Sequence, residues 1–249
     1  MDVVISQPRY LPALNYLQRL NFSDIFLVLD MVQRQGRGWE NRNKLLLPEP
    51  NWLSIPVASS SRALICEAAI EESTWVDQHR RAIFENYTGH PYFSVEILDA
   101  YFSEVRSKIG GPGSYLSVLL QLVSNVCAIL SIGTRIEVAS RISGERTKTL
   151  TGVDMLVALS GDIGAERYIS GPNGLNYGVE KAFDFSAVDL LIHEFNHPVY
   201  NQVDRDDFVP FLGFLDAVFS CGLEKVKSFV HDVPKLQAEV GRRVLRERR

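Results

Sequence analysis

Short, continuous apolar runs alternate along the chain with longer stretches whose apolar residues recur at helical spacing. Val3 to Ser6 is one such run and Ile25 to Leu29 is the next; between them Leu14, Leu17 and Leu20 fall on one face from Pro12 onward. Strand, helix and strand within about 30 residues make a βαβ unit, which dictates a parallel pair with a right-handed crossover. Gln7 and Asp30, the polar residues just after the two strands, are thereby placed at the carboxyl edge of the sheet, where open α/β sheets bind ligands.

The stretch Gln33 to Lys44 is polar and contains glycine, with Arg34, Arg37, Arg42 and Lys44 around Trp39. It reads as a loop. Trp52 to Val57 is a strand candidate, and Trp75 to Tyr87 a helix with Trp75, His79, Ala82 and Ile83 on one face. Glu96 to Ser131 is helical and broken by Gly110-Gly111-Pro112-Gly113. Ile136 and Val138 alternate with polar residues as a strand, and Thr149 to Leu159 predicts a helix stopping near Gly161 or Gly164. Tyr168-Ile169 then enters the loop Ser170 to Gly174. Leu190 to Phe195 gives a last strand, which opens into His197 to Gln202. The apolar stretch Phe208 to Phe219 predicts a helix capped by Asp207 and ended by Gly222.

These elements predict one α/β domain over residues 1–249. Its fold is Rossmann-like: a mostly parallel sheet with helices on both faces and a helical middle section, the stretch 96–131 being a candidate insertion. With 46% apolar and 10% aromatic residues the chain can bury a sizeable core. A net charge of −4 gives no general attraction to nucleic acid. The most apolar segment, Tyr115 to Leu130, carries Ser117, Gln121 and Ser124 at helical spacing, so a buried helix is expected and not a membrane span. No basic, apolar leader opens the sequence, and a cytoplasmic location is expected.

Cys66, Cys127 and Cys221 have no metal-type spacing, and Cys127 falls inside the apolar helix. The five histidines form no HExxH, and His193 and His197 sit on a strand and a loop, so no metal and no cofactor is predicted. The tail Arg242 to Arg249 reads as the basic end of a solvated helix.

Ile5-Ser6-Gln7-Pro8-Arg9-Tyr10-Leu11-Pro12, Ser23-Asp24, Leu29-Asp30, Val32-Gln33 and Asn41-Arg42-Asn43-Lys44 together resemble the amino-terminal pattern of the WbqC-like family. The resemblance extends through Pro91-Tyr92-Phe93, Tyr168 to Gly174 with Tyr177, and Phe195 to Gln202 with Phe208-Val209-Pro210, and so covers nearly the whole chain. It departs at Gly213, where the family pattern has serine. Members of that family occur in gene sets for O-antigen, other sugars and natural products, and a glycine transferase role has been suggested for one group. The resemblance therefore implies transfer of an acyl or aminoacyl group to an amine, with a small-molecule or carrier-bound donor and an amine acceptor as partners.

Such a transfer needs a proton acceptor, donors for the developing oxyanion, and positioning of both reactants. His197 and Asp30 are the candidate bases. Arg42, Asn41 and Asn43 are candidates for binding the anionic or acyl part of the donor. Gln7, Tyr10, Asn173 and Gln202 are further polar candidates on the same edge. Cys221 is the weaker candidate for an acyl-carrying nucleophile, because aminolysis of an activated ester or thioester needs none. Two other readings stand beside this one. An adenylate-forming amide ligase of nucleotidyltransferase-like fold would share the first βαβ unit, although the chain has neither HxGH nor a P-loop. A non-catalytic scaffold would have no convergent polar site.

Overall fold

The computed structural model describes residues 1–46, 51–60, 62–203, 205–233 and 235–238; the basic tail Arg242 to Arg249 lies outside them. In chain order the elements are β1 (Asp2–Ser6), α1 (Leu14–Asn21), β2 (Ile25–Val28), β3 (Arg42–Leu45), β4 (Asn51–Ser54), α2 (Thr74–Tyr87), α3 (Val95–Phe102) and α4 (Ser114–Leu130). They continue with β5 (Arg135–Val138), α5 (Ala139–Ile142), α6 (Glu145–Lys148), α7 (Gly152–Asp162), β6 (Arg167–Ser170), α8 (Val179–Phe183), β7 (Asp189–Glu194), α9 (Phe214–Cys221), α10 (Leu223–His231) and β8 (Lys235–Ala238).

Six strands form the main sheet in the order β5-β2-β1-β6-β7-β8. All neighbours are parallel except β7 and β8. From β1 the chain winds outward through β2 to β5, then crosses to the other side of β1 and continues through β6 and β7. The β1/β6 junction is thus the point where the winding reverses, and the loops leaving those two strands part there and open a crevice.

The alternation of side chains along each strand supplies two cores. Val3 and Ile5 of β1 and Ile25 and Leu27 of β2 face a cluster with Met155, Leu159, Val179 and Phe183 from α7 and α8. Val4, Phe26 and Val28 face the opposite way, into a larger cluster with residues of α1, α2, α3, α4, α9 and α10. Both faces are therefore covered, which is why the central strands read as unbroken apolar runs. The middle section contributes Leu98, Tyr101, Leu119, Leu122 and Val126 to that same larger cluster. Among the described residues no helix is long and apolar enough to cross a membrane.

Two expectations about local structure are corrected. Arg42-Asn43-Lys44, read as the end of a polar loop, belongs to β3, which pairs antiparallel with β4 from Arg42 opposite Ser54 to Leu45 opposite Asn51. The helix expected over Phe208 to Phe219 begins only at Phe214, with Gly213 and not Asp207 at its amino cap. Pro210 followed by Phe211 at φ 62° keeps the preceding segment out of helical conformation.

Candidate functional site

At the carboxyl ends of β1 and β6 lies a cavity of about 530 Å³. Ile5 and Ser6 from β1 and Tyr168, Ile169 and Ser170 from β6 form its floor, and Gly171 to Gly174 and Tyr177 one side. The loop after β1 and the start of α1 supply Arg9, Tyr10 and Pro12, then Ala13, Asn15 and Arg19; Trp39, Asn43 and Phe211 complete the wall.

The loop is held rigidly. The Tyr10 amide donates to the Trp39 carbonyl at 3.2 Å, and the Leu11 amide to Tyr101 Oη at 2.9 Å. Asn43 Nδ2 donates to the Leu11 carbonyl, and the Phe214 amide to that of Pro12 at 2.9 Å. Leu11 adopts φ 45°, a left-handed conformation that a leucine keeps only when its surroundings over-determine it. The glycine at 213 has a local reason here, since a Cβ there would come within 3.0 Å of both Leu11 Cβ and the Leu11 carbonyl oxygen.

Arg9 and Arg19 are the only charged side chains on the described wall. Arg19 is 9% exposed, and its Nε is buried without a partner. Among the described residues neither arginine forms an ion pair. Their guanidinium carbons lie 4.9 and 5.9 Å from the centre of the Tyr16 ring. Burial, reinforced by the charge of Arg9, lowers the Arg19 pKa to about 10, and burial lowers Arg9 too. Both remain cations at neutral pH. Gly171 makes room for the arrangement, because a Cβ there would stand 2.1 Å from Arg19 Nη1. Asn15 Oδ1, one helical turn before Arg19 on α1, is a further buried atom without a partner.

Of the nine residues predicted for the site, Tyr10, Asn43 and Asn173 line this cavity. Tyr10 Oη lies 2.8 Å from Nδ1 of His79. Burial pulls the His79 pKa down to about 4, so the ring is neutral and is also bonded to the Ser54 backbone. Asn43 is buried and spends both ends of its amide on the Leu11 carbonyl and the Lys44 amide. Asn173 is exposed on the turn after β6.

Gln7, Asp30, Asn41, Arg42, His197 and Gln202 are not on the wall. The Gln7 carbonyl accepts from Tyr16 Oη at 3.1 Å. Asp30 is fully buried after β2, and its Oδ1 accepts from the Ser140 amide at 2.9 Å, which steadies the start of α5. Asn41 is buried, with its carbonyl accepting from the Ile55 amide at 2.7 Å. The Arg42 guanidinium lies 4.0 Å from the centre of the Trp52 ring. His197 donates through Nδ1 to the Pro198 carbonyl at 2.9 Å and accepts at Nε2 from the Phe211 amide at 3.1 Å, so both ring nitrogens are engaged. Burial lowers its pKa. β1 and β6 stand between β2 and β7, so the strands that lead to Asp30 and His197 run roughly 14 Å apart at about 4.8 Å per strand.

Gln202 belongs to a buried network centred on Asp216. Asp216 is 1% exposed; its Oδ2 accepts from Tyr200 Oη at 2.7 Å and Gln202 Nε2 at 3.0 Å, and its Oδ1 from Tyr87 Oη at 3.2 Å. Cys221 donates its thiol to the Ala217 carbonyl at 3.1 Å, and burial pushes its pKa up to about 11, so it is no thiolate at neutral pH.

Sequence reasoning passed over Arg9 and Arg19. Asn15 and Arg19 are an i, i+4 polar pair on the helix that follows the first strand, a pattern that an ordinary solvent-facing helix surface shows equally.

The uncharacterized protein Rv1507c of Mycobacterium tuberculosis (strain ATCC 25618 / H37Rv) is 28% identical over 232 residues, which cover 89% of this chain and 94% of that protein. No solved structure matches the chain. The model of the WbqC-like protein family matches residues 7–228, a span that holds the whole of the β1/β6 cavity beyond Ser6 together with the Asp216 network, and the chain belongs to that family.

Proposed function

We propose that the chain transfers an activated acyl or aminoacyl group to an amine within the β1/β6 cavity. The observation that carries the placement is the pair Arg9 and Arg19, two cations on one cavity wall without an ion-pair partner. Unpaired charge is costly to bury, and a fold keeps it where a ligand supplies the counter-charge. The family resemblance supports the choice of acyl or glycine transfer.

In this reaction the amine nitrogen attacks the acyl carbon, the bond from that carbon to the departing oxygen or sulfur breaks, and the proton lost by the amine ends on the departing group. No oxidant, metal or protein nucleophile is needed. Arg9 and Arg19 hold the anionic part of the donor, and Asn15 Oδ1 has a free lone pair for an N–H of the acceptor. Asn173, exposed on the wall, offers a donor for the acyl oxygen. His197 keeps Phe211 in place on the wall through the amide bond to Nε2.

The test is amide formation, followed by mass spectrometry, from glycyl thioesters and esters presented with a panel of amino sugars and other amines. Arg9→Gln should raise KM for the donor by at least tenfold. His197→Ala and Asp30→Asn separate two roles: a base costs on the order of 10²-fold in kcat, whereas a positioning residue mainly raises KM. Product that forms only when ATP is supplied, with pyrophosphate released, would favour the ligase reading; absence of product from every donor would favour the scaffold.

A further inference from the structure

We infer that the β1/β6 cavity takes a diphosphate ester of nucleotide type, its two negative charges on Arg9 and Arg19 and its planar ring against Trp39. This rests on the reading of the cavity as the substrate site, and not on the chemistry of acyl transfer.

Charge is the first argument. The described wall carries two guanidinium groups and no carboxylate. Glu40 attracts Arg9 without coming within ion-pair distance, and it is itself attracted by Arg34 and Arg42. A monocarboxylate would leave one cation unpaired in a buried place. A diphosphate ester carries two negative charges on adjacent groups, each matching the planar fork of an arginine. His193 brings no further charge: it is buried, its Nε2 is bonded to Gln18 Oε1 at 2.8 Å, and burial and the neighbouring Arg19 bring its pKa to about 4.

The second argument is the rim. Trp39, Tyr177 and Phe211 all line the cavity, yet they are 45%, 77% and 46% exposed. Large aromatic rings left in water beside a polar cavity are suited to receive a flat partner. Two of them are braced from behind, Trp39 by Trp52 with ring centres 5.6 Å apart and Phe211 by His197 at 5.0 Å. On the same wall Asn15 Oδ1 is a buried acceptor without a partner, a fitting mate for a sugar hydroxyl. At about 530 Å³ the cavity has the size of a nucleotide site.

The chemistry is shared by the nucleotide end of a coenzyme A thioester and by that of a nucleotide-activated acceptor, so the probes are coenzyme A, ADP and UDP, with inorganic pyrophosphate, adenosine, uridine and benzoate as controls. Binding is read by calorimetry and by quenching of tryptophan fluorescence. At least one of the three nucleotides should bind, pyrophosphate about tenfold or more weakly, and the nucleosides and benzoate weaker still. Preference for coenzyme A and ADP would identify the donor's nucleotide end, and preference for UDP the acceptor's. Arg9→Gln and Arg19→Gln should each weaken the nucleotide at least tenfold, with Arg19→Lys recovering part of the loss. Trp39→Ala should weaken the nucleotide about tenfold and leave pyrophosphate unchanged. Should Arg19→Gln fail to fold, Arg9→Gln and Trp39→Ala still decide. Tighter binding of benzoate than of any nucleotide, or nucleotide binding indifferent to both Arg9→Gln and Trp39→Ala, would overturn the proposal. Nucleotide binding without amide formation sinks only the transfer reading, and transfer from a donor that needs no phosphate sinks only this one.

Discussion

Two buried polar groups of similar standing occur in the molecule, and they are treated in opposite ways. Asp216 is enclosed in protein, and three donors, Tyr87, Tyr200 and Gln202, converge on its oxygens. Arg19 is almost as enclosed, yet its Nε is without a partner, and the nearby Asn15 Oδ1 is in the same condition. The first arrangement is complete among the described residues and serves the fold; the second is left open, which is the basis on which a ligand is proposed for it. Burial alone does not separate a structural charge from a functional one, and neither does an open partner count, since Asp30 Oδ2 and Glu40 Oε2 are also buried without a partner; what sets Arg19 apart is that it also lines the cavity.

The comparison breaks most visibly by deleting each centre. Asp216→Ala leaves three buried donors unpaired and should cost about 3–5 kcal/mol of stability, read as a fall in the urea midpoint, with nucleotide affinity preserved in the fraction still folded. Arg19→Gln should do the reverse, leaving stability unchanged or raising it by about 1 kcal/mol while ligand affinity falls, because it removes a cation that no ion pair among the described residues offsets. If Arg19→Gln destabilises the protein as much as Asp216→Ala, the two centres are alike and the distinction fails.

Acid sharpens the same contrast at somewhat smaller magnitude. His79 and His193 have folded pKa values of about 4 against an ordinary 6.5. As pH falls through 6.5 the unfolded chain takes up these protons and the folded one does not, so stability is present above 6.5 and is lost between 6.5 and 4. Each shift corresponds to on the order of 3 kcal/mol at most. The urea midpoint should drop steeply across that window, and His79→Gln with His193→Gln should flatten the drop; a midpoint level from pH 7 to 4.5 would show that the two rings are not held neutral.

The gentlest probe is Gly171→Ala. Its added methyl displaces Arg19 Nη1, the far end of a flexible side chain, and not the backbone. Stability should change by less than about 1 kcal/mol, while ligand affinity falls severalfold. Equal affinity in the variant would mean that the guanidinium position is not what the ligand reads.

How much of this was legible in the sequence follows from what each residue faces. Strands covered on both faces must be apolar throughout, so β1, β2, β6 and β7 stand out as runs, and the residues after β1 and β6 mark the edge at which the cavity lies. β3 was hidden because Arg42, Asn43 and Lys44 are polar residues whose strand pairing depends on β4 beyond them and not on their own pattern. Tyr10 and Asn173 were reachable as neighbours of strand ends, and Asn43 as a residue of the polar stretch Gln33 to Lys44. Arg19 was not, since an arginine on an amphipathic helix ordinarily faces water, and only the crossing of β6 beside β1 turns that position inward. Asp30 and His197 are also polar residues after strands, but no local pattern tells which strands adjoin the winding reversal, and those of β2 and β7 do not adjoin each other.

The order of the sheet leaves β5 as its outermost strand on one side. That strand begins Arg135-Ile136-Glu137, with Arg135 Nε 3.3 Å from Glu137 Oε1, so a charged pair stands on the border where another chain's strand would dock. Edge strands invite self-association, and charge placed on them discourages it. Replacing both residues by valine would remove charge from this border and should promote self-association, read as a rise in apparent mass with concentration, with the cavity at β1, two strands away, left unaltered.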